Sequence, residues 1–396
     1  MKYFRLFWEF FKISLFVVGG GYAIIVVADE IFGKKRKWLA EGELLEHLPV
    51  FQMVPGLIAG NTAIYVGLKT AGRCGAAVAL FGVALPSFLI FLGVSMGYGG
   101  LPVHHPLVAG ALAGLRAALT GIVLGTIVKG LRPSVKGVYG WTVLVLASVL
   151  LVGLHVNVVA VILGAMVLGL IWTSCGGTVP PPDARGAGVA LTPLTPRKRL
   201  ATLLALGVAV VGVTLLAGTI FWTFIKFGLL GFGGGFVLVP LYLQTFVGET
   251  ASLLQLPAEE FSNLMALTQA TPGPVSVNAA TFFGYRMGGI GGAAVATAAL
   301  LLPSYFLLTA ALGGLDKWKR SKFVQGILFG VRPATLALMC QALVTFACLS
   351  VWQQGRLQPF ACLLAAFAAT ALLTRKLAIM SAIFLCALFG TLRALI

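Results

Sequence analysis

Four basic residues lie inside apolar segments, Lys12, Arg116, Lys226 and Arg332. Each costs ~2.5–3.5 kcal/mol at the centre of a bilayer on an insertion scale, so each needs a polar cavity or a negative partner. The guanidinium fork of an arginine suits an oxyanion, which it grips with parallel N–H bonds. Lys12 and Lys226 stand near segment ends, where snorkelling to the interface competes with a functional role. Helix-breaking motifs accompany these cations. In Thr268–Asn278 (TQATPGPVSVN), Pro272-Gly273-Pro274 ends one half-helix and starts another. The amides of Val275, Ser276 and Val277 are expected to be free at the positive end of a helix dipole, with the Ser276 hydroxyl and Asn278 beside them. That is an anion cradle. Phe51–Asn61 (FQMVPGLIAGN) offers the equivalent, with Leu57 in place of the second proline.

The candidate substrate-binding set is therefore Arg116, Arg332, Lys12 and Lys226, with Gln52, Pro55, Gly56 and Asn61 of the first break and Gln269, Pro272, Gly273, Ser276 and Asn278 of the second. The triplet Gly233, Gly234 and Gly235 joins them, as a place where backbone turns or approaches a ligand closely. No Gly-Lys-Ser/Thr follows either Gly triplet, which argues against a nucleotide loop. Four histidines without HExxH and six cysteines without CxxC give no metal site, and no cofactor is expected. A lipid phosphatase would use the same cations but also needs a nucleophile and a general base. His47 is the only histidine near a motif, and its repeat counterpart is Leu264, so the residues do not read as an enzyme. No carboxylate is read as lying deep in a segment; Glu43 and Glu260 precede the Pro-Gly motifs and are expected to cap helices.

The elements that position these residues come in two copies. Trp8, Lys12 and Gly19-Gly20-Gly21 recur as Trp222, Lys226 and Gly233-Gly234-Gly235. Gln52, Pro55, Gly56, Asn61, Gly67, Gly72, Gly75 and Pro86-Ser87 recur as Gln269, Pro272, Gly273, Asn278, Gly284, Gly289, Gly292 and Pro303-Ser304, and Gly110, Gly114 and Arg116 as Gly326, Gly330 and Arg332. We read residues 1–173 as the first repeat, 174–199 as a Pro/Gly-rich linker, 200–217 as a connecting transmembrane helix and 218–396 as the second repeat. Hydrophobic residues make up 59% of the 396, and the 50 glycines raise the apolar share well above that of a soluble domain. The +17 formal charge therefore belongs beside a membrane, not on nucleic acid.

Each copy has six apolar segments. If the first two are hairpins turning at the Gly triplet and the Pro-Gly pair, 21 basic residues fall on the cytoplasmic side and only Arg286, Arg356 and Arg393 outside. Four segments then cross per copy, and the single helix 200–217 inverts the second. A twelve-crossing arrangement is the alternative, because the segments near Leu151–Val161 are short. The expected fold is an all-α polytopic membrane protein of two inverted-topology repeats with broken, re-entrant helices, the signature of secondary transporters. Gly288/Gly292 is a further GxxxG ridge, able to pack within the chain or between copies in a homodimer.

The chain resembles the chromate ion transporters in their long form, with two homologous halves fused. The resemblance rests on FGGGFVLVP (Phe232–Pro240) and QATPGPVSVNAATFFGY (Gln269–Tyr285), with GGGYAII (Gly19–Ile25) and QMVPGLIAGNTAIYVG (Gln52–Gly67) as first-half counterparts. The first half departs from the pattern at Val17-Val18, Val26 and Leu57. The resemblance implies a multi-pass protein of the cytoplasmic membrane that exports chromate, a small tetrahedral oxyanion, and gives resistance. A carrier of sulfate or another oxyanion fits the same residues, and a channel is distinguished by flux that does not saturate. With no ATP-binding motif, uphill transport must use an ion gradient or exchange. Arg332→Ala and Asn278→Ala should each abolish transport while leaving folded protein in the membrane, as checked by flux alongside quantified membrane insertion.

Overall fold

The computed structural model describes residues 2–17, 21–103, 105–177, 179, 218–232, 235–248, 253–312, 321–353, 355–374 and 377–395. The linker beyond residue 179 and the expected connecting helix 200–217 lie outside the described residues. In the first copy the chain runs through α1 (Lys2–Phe16), α2 (Gly21–Asp29, prolonged by a π-turn Glu30–Lys35), α3 (Glu43–Glu46), α4 (Leu48–Met53), α5 (Ile58–Tyr98), α6 (Pro106–Ser134), α7 (Gly137–Ser148, prolonged by Val149–Gly153) and α8 (Val158–Ser174). The second copy follows with α9 (Gly218–Leu230), a 3-10 turn Gly235–Leu238, α10 (Val239–Phe246), α11 (Ala258–Ala270), α12 (Val275–Leu312), α13 (Lys322–Ser350), α14 (Pro359–Thr374) and α15 (Ile379–Arg393). A two-stranded ribbon, Trp352–Gln353 with Arg356–Leu357, joins α13 to α14.

Two of the long helices are folded sharply. In α5 the backbone leaves helical geometry at Ala71 and at Gly72, whose φ of 66° and ψ of −159° favour glycine. In α12 the break falls at the equivalent Gly288 and Gly289, with φ 60° and ψ −150° at the latter. The chain doubles back so tightly that Gly67 meets Gly75, and Gly284 meets Gly292, backbone to backbone with no room for a methyl group. Gly292 is thus engaged inside the chain by Gly284.

The copies run in opposite directions. Helices α6 and α13 are repeat equivalents in direct contact: Gly130 packs on Leu336, and ten residues earlier Thr120 Oγ1 lies 2.8 Å from Ser350 Oγ. Ascending α6 therefore means descending α13, so the two are antiparallel. The architecture is an all-α polytopic membrane protein of two inverted repeats, and among the described residues α5, α6, α12 and α13 are long and apolar enough to cross a membrane. Large apolar side chains such as Phe16, Trp141, Trp222 and Phe384 face outward, as a lipid-facing surface requires.

The GxxxG ridges exchange partners between copies. Gly110 and Gly114 on α6 lie against the backbone of Gly390 and Cys386 on α15, while Gly326 and Gly330 on α13 lie against Gly169 and Ala165 on α8. Each copy's central helix is thereby packed on the last helix of the other copy, at a distance only glycine allows. Gly114→Ile or Gly330→Ile should destabilise the protein by at least about 1–3 kcal/mol through overpacking. Thermal unfolding in detergent checks this, with Gly93→Ile, at a site open to its surroundings, as the neutral control.

Candidate functional site

Each hairpin is stapled by residues of its own second arm. Asn61 Nδ2 donates to Phe51 O (2.9 Å) and Val54 O (3.1 Å), Tyr65 reaches Glu43 and His47, and Lys69 reaches Glu43. These pairings close in rank order around Gly56, which is the tip. In the second copy Asn278 Nδ2 donates to Thr268 O (3.3 Å), Thr271 Oγ1 (3.1 Å) and Pro272 O (3.4 Å), and Arg286 pairs with Glu260 at 3.3 Å, closing around Gly273. The asparagines satisfy carbonyls that the end of a half-helix leaves without intrahelical partners. The first hairpin of each copy closes likewise, with Phe10 stacked on Phe32 and Phe227 edge-on to Tyr242.

The tips sit against the other copy. Gly56 adopts φ 117° and Gly273 φ 96°, both left-handed. A side chain at Gly56 would overlap the Ser304 hydroxyl, and one at Gly273 the Ser87 hydroxyl. The two contacts are reciprocal under the repeat. Gly56 N donates to Gly231 O at 2.9 Å, and Ser304 Oγ donates to Pro55 O at 3.3 Å. Gly235 faces Val275 and Ser276, and an added methyl group would be tight against both. Gly56, Leu57, Gly228, Gly231, Leu238 and Ser276 thus surround a central space too tight for a water molecule. Ser87 Oγ, Ser276 Oγ, Asn61 Oδ1, Asn278 Oδ1 and Gln269 Nε2 are buried there or nearby without hydrogen-bond partners among the described residues.

The cradle is narrower than its sequence implies. Val277 N and Asn278 N both donate to Pro274 O, at 2.9 and 3.1 Å, so the expected free amide at Val277 is spent. Val275 N and Ser276 N remain without an acceptor among the described residues. Pro55 and Pro272 flank the tips half-buried, and Gln52 is half-buried on α4. Gly235 reaches the tips; Gly233 and Gly234, with Gly19 and Gly20 of the first triplet, lie outside the described residues.

The cations are not gathered with the tips. Arg116 is buried, but its Nη1 lies 2.7 Å from Glu259 Oε1 at the base of the second Pro-Gly hairpin. Arg332 is half-buried on α13. Lys12 is 41% exposed and pairs with Glu9 at 2.8 Å, and Lys226 is exposed. Exposure of this kind is what snorkelling to an interface requires.

Against known proteins, a family model described as chromate transporter matches residues 4–170 and 218–391, most of the chain and both halves of it. The chain belongs to the chromate transporter family. It is 26% identical over 358 residues to an uncharacterized transporter of Methanocaldococcus jannaschii, covering 88% of this chain and 85% of that one. It is 24% identical to a chromate transport protein of Pseudomonas aeruginosa (86% and 80% covered) and 26% identical to one of Cupriavidus metallidurans (87% and 82%). No solved structure matches it. As a member of this family the chain is a transporter and not an enzyme, embedded in the cell membrane as a multi-pass protein.

Several residues of this family member escape a reading of sequence alone. Ser87 and Ser304, paired with Pro86 and Pro303 in the repeat, are the seats of the opposite tips, and recurrence of that Pro-Ser pair was the available signal. Ser14 also approaches Gly273 while donating to Val83 O at 2.6 Å. Glu9 is a buried carboxylate inside α1, held by Lys12 and by Arg36 at 2.6 Å, and Asp29 is buried accepting from Gly42 N and Leu44 N. Glu43 is an ion-pair member, not only a cap. Ser276→Ala removes a hydroxyl without a hydrogen-bond partner among the described residues, so stability should stay within about 0.5 kcal/mol, while apparent substrate affinity should fall about tenfold with loss of one hydrogen bond to an anion. Thermal melts and concentration-dependent flux on the same preparation separate the two effects.

Proposed function

We propose that this chain is a secondary transporter that carries chromate out of the cytoplasm and so confers resistance to it. The observation that carries this reading is the meeting of re-entrant tips around Ser276, where a half-helix N-terminus points its amides at irregular backbone. Irregular backbone at membrane depth belongs where it is buried in protein or lines a pathway, and broken helices of inverted repeats supply the sites of secondary transporters. The amides of Val275 and Ser276 and the Ser276 hydroxyl are donors suited to a dianion. They add no fixed charge to be neutralised when the site is empty of substrate. The central space is closed, so the tips must part to admit a tetrahedral oxyanion. Alternating access then amounts to parting on one side while the other remains sealed. Arg116, paired with Glu259 at the base of the second hairpin, is the repeat counterpart of Arg332 on α13. Both arginines are proposed to meet the anion along its route, outside the closed centre.

A second reading is favoured by the donor set itself. Amide and hydroxyl donors read charge and shape, which sulfate shares with chromate, so a broader oxyanion carrier is the close competitor. Labelled chromate uptake into inside-out vesicles, with sulfate as competitor and vesicles lacking the protein as control, decides between them. Saturable uptake that sulfate barely inhibits supports a chromate exporter; strong sulfate competition supports the broader carrier. Absence of uptake above control, with both a proton gradient and internal counter-anions supplied, would remove chromate as the substrate.

A further inference from the structure

The base of the first Pro-Gly hairpin holds a cluster of titratable side chains that anion binding does not use. His47 is 2% exposed, Tyr65 0% and Glu43 8%. His47 Nδ1 lies 2.8 Å from Glu43 O, a carbonyl that can only accept, so Nδ1 carries a proton. His47 Nε2 lies 3.3 Å from Tyr65 OH, which in turn donates to Glu43 Oε1 at 2.7 Å. Glu43 also accepts from Lys69 and, through Oε2, from Ala40 N at 3.0 Å. Burial pushes the Glu43 carboxyl up, but the bonds from Lys69, Tyr65 and Ala40 outweigh it and keep the group below the usual carboxylate range. Of the other charged groups on the elements packed here, Asp29 on α2 is committed to Gly42 N and Leu44 N, and Glu46 is exposed on α3.

Counting protons shows what the cluster lacks. With His47 neutral, Nε2 is an acceptor, and the single Tyr65 proton must serve either His47 or Glu43. With Nε2 protonated, imidazolium donates to the Tyr65 oxygen and Tyr65 donates to Glu43, and every group is satisfied. The second copy gives an internal comparison. Glu43 and Lys69 correspond to Glu260 and Arg286, which keep the ion pair at 3.3 Å, whereas His47 and Tyr65 correspond to Leu264 and Phe282. The two members that could pass a proton are absent together, and the phenol loses only its hydroxyl. The scaffold therefore does not need His and Tyr to form this hairpin.

We propose that His47, Tyr65 and Glu43 form a proton-binding site at the cytoplasmic base of the first Pro-Gly hairpin, taking up one proton at His47 Nε2 and linking that proton to the transport cycle. The bound proton ties the two arms together, because His47 stands at the junction of α3 and α4 and Tyr65 on the arm beyond the tip. Releasing it leaves the arms held by Asn61, by the Glu43–Lys69 pair and by one Tyr65 hydrogen bond, to Glu43 or to His47, in place of two. This linkage rests on the transporter reading; the proton site does not, and the two can be tested apart.

The first test needs no substrate. In the full chain in lipid nanodiscs, with His104, His105 and His155 each changed to Gln, labelled-histidine NMR follows the one remaining imidazole between about pH 5 and 8, where histidine changes charge. We expect a proton to be found on His47 Nε2 as the pH is lowered, and Tyr65→Phe to alter its uptake. An imidazole that stays neutral throughout would overturn the site. The second test uses proteoliposomes with labelled sulfate and chromate. Flux through the unaltered chain should change about tenfold between pH 5.5 and 7.5, flattening to within about twofold in the His47→Leu/Tyr65→Phe double variant. A double variant with the unaltered pH profile overturns the linkage. Absence of flux for either anion in the unaltered chain overturns the linkage together with the transporter reading, while the NMR result still decides the site.

Discussion

Backbone amides and carbonyls at the tip of a re-entrant hairpin have no helical partner and, inside a bilayer, no water to turn to. This one deficit organises the molecule. Gly56 N finds Gly231 O, Pro55 O finds Ser304, and Gly273 seats on Ser87, each provided by the opposite copy. Neither half can complete its own tips, so the halves must interlock head to head, and the place where they interlock is the centre of the protein. Small residues follow from the same need, since backbone can approach backbone only where side chains are missing. Asn61 and Asn278 follow from it too, as side-chain donors to carbonyls at the ends of broken half-helices.

The copies share this frame and differ in chemistry. The second tip has Pro274 and Ser276 where the first has Leu57 and Ala59, so a polar N-terminus faces an apolar one across the centre. At the bases the difference is reversed, with His47 and Tyr65 in the first copy against Leu264 and Phe282 in the second. Duplication preserved the residues that hold hairpins shut and let those with ionisable or hydroxyl groups diverge. Specialisation of one half for the anion and the other for the proton is the economical reading of that contrast.

Repeat, hairpins and inversion were legible in the sequence because they rest on glycine, proline and asparagine, whose demands are local and whose spacing survives in both copies. Charge placement then oriented them. What stayed hidden was partner choice. Nothing near Arg116 in sequence points to Glu259, and Glu9 reads as an unremarkable residue until Arg36 folds back over it from beyond the hairpin. The Val277 amide, expected to be free, is spent for a subtler reason, since Pro274 O accepts from the third and fourth residues after it and consumes a donor that an idealised helix start leaves open. Likewise the Gly288/Gly292 ridge reads as able to pack within the chain or between copies, and the fold at Gly289 is what turns Gly292 onto Gly284.

The exchange of final helices has a mechanical meaning. With α6 locked onto α15 and α13 onto α8, glycine to backbone, the long helices of both copies form one interleaved frame. The hairpins and the folded helices α5 and α12 form the other, joined across the pseudo-symmetry axis by their tips. A boundary drawn through the linker separates two ancestral genes but cuts through both of these bodies. Parting of the tips, as proposed for anion entry, runs inside the second body along the seam between the copies, while the frame stays tied across both copies through α6–α15 and α13–α8.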